Sequence, residues 1–80
     1  VIMLRLKMCG ESENKIIYEY YPEDGEDCGR LSINKQSGKI ELMQQADTDE
    51  YGSYKVHAVS TITKYYKQNN YLTNQIVAWC

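Results

Sequence analysis

The sequence predicts an α+β fold: an antiparallel meander of four strands, one long amphipathic helix on one face, and a C-terminal fifth strand. Three observations carry this. Apolar and polar residues alternate at period two in the first half of the chain, most cleanly over residues 2–8. Residues 47–70 form the only segment long enough for a substantial helix. At about 3.6 residues per turn, Tyr51, Tyr54, Ala58, Ile62 and Tyr65 fall on one stripe of it, with Val59 and Tyr66 at the flank. The run Ile76-Val77-Ala78-Trp79, within 75–80, reads as a strand buried on both faces or lying at an interface.

Each element has its own signals. Ile2, Leu4, Leu6 and Met8 point one way and Met3, Arg5 and Lys7 the other, a half-buried first strand. After a polar turn, residues 15–21 form a second strand of β-branched and aromatic residues, with Ile16, Tyr18 and Tyr20 inward. Pro22 ends it, having no N–H for a ladder. Leu31 and Ile33 mark a third strand, and Ile40 and Leu42 a fourth. Gly38 sits between them where a hairpin asks for positive φ. In the helix, Asp47 is the expected N-cap, in a capping box with Glu50, and Asn69-Asn70 the left-handed stop. A helix after the fourth strand returns the chain, so the fifth strand fits beside the first, antiparallel to it. The expected order is 5-1-2-3-4, with the helix over Leu4, Leu6, Leu31, Ile33, Ile40 and Leu42.

Composition narrows the classes. Eighty residues make one domain, 1–80, which removes about 60% of its unfolded surface from water. A net charge of −2 gives no general attraction to nucleic acid or an anionic membrane. No stretch is apolar for the ~20 residues a membrane span needs. Cys9, Cys28 and Cys80 are odd in number and widely spaced, which points to reduced thiols and a cytoplasmic protein rather than a disulfide framework. Eight Tyr, one Trp and no Phe suggest rings at wet rims, since each Tyr hydroxyl wants a partner.

Catalytic patterns are sparse. His57, the one histidine, falls on the polar side of the helix with Ser53, Ser60, Lys64 and Lys67. Nothing in the spacing joins it to a cysteine as a nucleophile pair or a Cys₃His zinc site, so no enzyme activity, metal or cofactor is expected. The acidic loop Glu23-Asp24-Gly25-Glu26-Asp27 lacks the ligand spacing of a calcium loop and reads as a solvated charge run.

What remains is the sheet face that the helix leaves open. Its expected residents include Met3, Arg5, Lys7, Ile17, Glu19, Tyr21, Arg30, Ser32, Glu41 and Met43, joined by either Val77 and Trp79 or Ile76 and Ala78. Arg5, Lys7, Ile17, Tyr21, Arg30 and Trp79 are the candidate binding residues. The favoured reading is a small non-enzymatic interaction module that binds a protein partner, or itself as a homodimer, through this face or the fifth strand. The alternative is single-stranded nucleic-acid binding, with Tyr21 stacking on bases and Arg5, Lys7 and Arg30 on phosphates. A weaker third reading has the 23–27 loop mimicking phosphate charge.

Overall fold

The period-two alternation becomes one five-stranded antiparallel sheet in a computed structural model, which describes residues 1–80. The elements are β1 (Ile2–Glu11), β2 (Lys15–Pro22), β3 (Gly29–Asn34), β4 (Ile40–Gln44), α1 (Ser53–Gln68) and β5 (Asn74–Trp79). The strand order β4-β3-β2-β1-β5 is the expected one, and α1 packs on one face. No helix is long and apolar enough to cross a membrane.

The core lies between α1 and the inward residues of the three central strands. Leu4, Leu6, Ile16, Tyr18, Tyr20, Leu31 and Ile33 meet Ala58, Ile62 and Tyr65 there, all buried. Leu42 shares the face of its cross-strand partner Leu31 but is 42% exposed, because α1 packs chiefly on β1, β2, β3 and β5. The expectation that the helix covers Leu42 is corrected accordingly.

Tyrosines go deeper than their hydroxyls suggested. Tyr18, Tyr20 and Tyr65 are buried rather than at wet rims, because the fold brings an acceptor to each hydroxyl. Tyr18 Oη donates to the Leu72 carbonyl at 2.7 Å, Tyr20 Oη to Asp49 Oδ2 at 3.0 Å, and Tyr65 Oη to Gln75 Oε1. Burial raises all three phenol pKa values, that of Tyr20 to about 12. Tyr20 also explains Gly29 opposite it. A Cβ at that position would stand 2.1 Å from the Tyr20 ring.

The start of α1 differs from the expected one. Asp47 is exposed, and the helix begins at Ser53 after Gly52, which takes φ 75°. The capping carboxylate is the buried Asp49, which accepts from the Tyr54 and Lys55 N–H groups at 3.1 and 2.9 Å. Its third partner, Tyr20 Oη, ties the cap to the core, so a tertiary contact selects Asp49 over Asp47. Tyr51, ahead of the helix, is 88% exposed and leaves the predicted stripe. The other end is as expected: Asn69 is left-handed, and Asn69 and Asn70 donate to the Tyr66 and Tyr65 carbonyls.

β5 is not buried on both faces. It is an edge strand on which Asn74, Ile76 and Ala78 are exposed and Gln75, Val77 and Trp79 half-buried.

Candidate functional site

Cross-strand register decides which candidates share a face. Arg5 stands opposite Tyr21 and Ile76, Lys7 opposite Glu19, Glu19 opposite Arg30, and Ile17 opposite Ser32. Directly opposed residues point the same way, so Arg5, Lys7, Ile17, Tyr21 and Arg30 do gather on the open face. Trp79 does not. It is opposite Ile2 and points to the helix side, where its ring stacks on His57 at 3.7 Å and meets Tyr54 edge-on at 5.7 Å. Of the two alternatives for β5, Ile76 and Ala78 take the open face and Val77 and Trp79 the covered one. His57 is consequently a half-buried stacking partner rather than a solvated residue.

The cations of the open face are largely engaged. Arg5 is bonded to Asp24 at 2.7 Å and to Asn74 Oδ1 at 2.6 Å, and Arg30 is paired with Glu19 at 3.1 Å. Lys7 lies 5.9 Å from the Tyr21 ring centre, and the Tyr21 hydroxyl donates to Glu19 at 2.9 Å. The Tyr21 bond holds the Glu19 carboxyl below its usual range, with Arg30 assisting, while the same bond pushes Tyr21 up to about 12. A hollow of about 190 Å³ lined by Arg5, Lys7, Tyr21, Asp24 and Gly25 lies in this face.

The acidic loop is anchored, not a freely solvated run. Glu23 accepts from the Met3 N–H and the Tyr54 hydroxyl, Asp24 from Arg5, and Asp27 from the Thr48 N–H and hydroxyl. These bonds hold all three carboxyls below the ordinary range. The loop staples the β2–β3 connection to β1 and to the segment before the helix.

Nucleophiles are not assembled. Cys28 lies beside Glu19 on the open face, with Sγ 3.8 Å from the carboxylate, and His57 is on the opposite side of the sheet. Burial and then the Glu19 charge raise both the Cys28 and Cys9 thiols, which lowers their thiolate fraction. No group of three His, Cys, Asp or Glu side chains is placed to hold a metal ion.

The largest cavity lies elsewhere, between the second half of α1 and β5. It measures about 430 Å³ and is lined by Thr61, Lys64, Tyr65, Gln68, Leu72 and the β5 residues Gln75 to Ala78. Thr61, Lys64 and Gln68 recur at i, i+3 and i+7, so they form one stripe of α1. β5 runs antiparallel to the helix, since Gln75 meets Tyr65 near its C-terminal end and Trp79 meets His57 nearer its start. The apolar run 76–79 is the only sequence signal for this groove; periodicity places Lys64 simply on the polar side of the helix. The chain matches no protein-family model, no curated protein and no solved structure.

Proposed function

We propose that this protein is a small non-enzymatic module that binds another protein chain, and that the β5 end of its sheet is the surface that does so. One observation carries this reading: β5 is a regular edge strand without a single charged side chain, and it borders the largest groove of the molecule. Edge strands of stable monomers are usually blunted by charge, proline, a bulge or a covering element. The placement of Cys28 and His57 on opposite sides of the sheet supports a role without catalysis.

Nucleic-acid binding is the weaker reading. Arg5 and Arg30 already hold carboxylates, so contact with phosphate would first break two ion pairs. Tyr21 shares its ring with Lys7. Fluorescence anisotropy with labelled single-stranded oligonucleotides at low and high salt tests the choice. The expected result is nothing tighter than about 10⁻⁵ M at physiological salt, the non-specific range. Submicromolar, salt-sensitive binding that Arg5→Ala and Arg30→Ala weaken would overturn the protein-binding reading.

A further inference from the structure

We infer that the groove between α1 and β5 takes an extended segment of a partner protein by strand addition, and that the segment carries an Asp or Glu side chain between apolar residues. This rests on the protein-binding reading and specifies its partner. Three features of the groove define the ligand: free backbone groups on one wall, one cation on the other, and apolar side chains at the floor.

The backbone wall follows from register. Met8 N–H donates to the Thr73 carbonyl at 2.9 Å, in phase with the pairs Leu6–Gln75, Leu4–Val77 and Ile2–Trp79. In an antiparallel ladder hydrogen-bonded and non-hydrogen-bonded pairs alternate. Gln75, Val77 and Trp79 therefore bond to β1, while Asn74, Ile76 and Ala78 turn their N–H and C=O groups outward. β5 is the last strand of the sheet, and no other residue takes those groups. An extended chain laid beside β5 would satisfy them, and its alternate side chains would point toward α1.

Charge selects the occupant. Lys64 is the only charged residue lining the groove, is exposed, and forms no ion pair. A carboxylate on the helix-facing side of the added strand would meet it, and apolar neighbours two positions away would meet Leu72 and Val77. A second copy fits less well. Pairing β5 with itself about a two-fold axis keeps both helices on the same side and turns the two Lys64 side chains toward each other, with no acid in either groove to offset them.

A random-peptide phage library selected on the intact protein, followed by NMR shift mapping of the enriched peptides, tests the inference. Enriched peptides are expected to carry an acidic residue with apolar residues two positions away, and to shift the Ile76 and Ala78 amides most. Lys64→Glu should weaken them by about tenfold and, reselected, favour Lys or Arg instead. Ala78→Pro removes an outward N–H without breaking a bond to β1, so it should abolish binding while the thermal melt stays cooperative. Peptides that map to Lys7, Tyr21 and Arg30 would overturn the groove assignment yet leave protein binding standing. A concentration-dependent dimer abolished by Ala78→Pro would replace the partner segment with a second copy. No enrichment at all would overturn both readings.

Discussion

The two edges of the sheet are built differently, and the proposed strand addition rests on that difference. β4 carries Glu41 beside Lys39, the two 3.8 Å apart, and is irregular: Leu31 pairs with Leu42 but Arg30 with Gln44, leaving Met43 as an extra residue. A charge pair and a bulge are devices that keep an edge from recruiting another strand. β5 has neither. Its six residues pair with β1 without a slip, and its side chains are all uncharged. The contrast is sharper because Leu42 and Met43 on β4 are themselves 42% and 52% exposed. β4 thus exposes more apolar side chain on an irregular backbone, and β5 offers the regular one.

Both edges depend on one core, so the largest effect should come from its centre. Ile62, fully buried, packs among the inward residues of the sheet. Ile62→Asp should cost at least about 4 kcal/mol and abolish the cooperative melt, because an unpaired carboxylate enters that cluster. Lys64→Asp, two residues on and exposed, should leave the circular dichroism melt nearly unchanged.

Asp49 and Gly29 are expected next. Asp49→Ala removes the cap and leaves the Tyr20 hydroxyl without its acceptor, and should cost about 2 kcal/mol in urea titrations, whereas Asp47→Ala should be close to neutral. Gly29→Ala forces a methyl onto the Tyr20 ring, which its bonds to Asp49 and the Ala46 N–H hold in place. A loss of about 1–3 kcal/mol is expected, with slower hydrogen exchange retained on the β5 side than on the β3–β4 side.

These residues also mark what the sequence made legible. Alternation, Pro22 and Gly38 are local signals, so the strands, their order and the helix-covered face could be read from them. The cap could not. Asp47 and Asp49 both suit a helix start, and only the Tyr20 hydroxyl, distant in sequence, separates them. The face of Trp79 was left open for another reason. A run such as Ile76-Val77-Ala78-Trp79 has no alternation to set its phase, and a slip of one residue exchanges the two faces. The open-face residues Arg5, Lys7, Ile17, Tyr21 and Arg30 came from strands with clear phase, and the structure does gather them.

The smallest effect separates the ion-paired face from both edges. Glu19, Glu23, Asp24 and Asp27 all have carboxyls held below their ordinary values in the folded state. Groups depressed in this way contribute stability above their unfolded-state pKa and lose it as pH falls through the folded one. Tm should therefore be flat from neutral pH down to about 5 and decline below about 4, and Glu19→Gln should make the decline shallower.

Amide hydrogen exchange along β5, followed by NMR in the free protein and then with a groove-binding peptide, tests the central claim most directly. In the free protein, the Gln75, Val77 and Trp79 amides should be protected and those of Asn74, Ile76 and Ala78 should exchange fast. Adding the peptide should protect Ile76 and Ala78 while leaving β4 unchanged. Protection of Ile76 and Ala78 already present in the dilute free protein, or new protection appearing on β4 instead, would contradict the account.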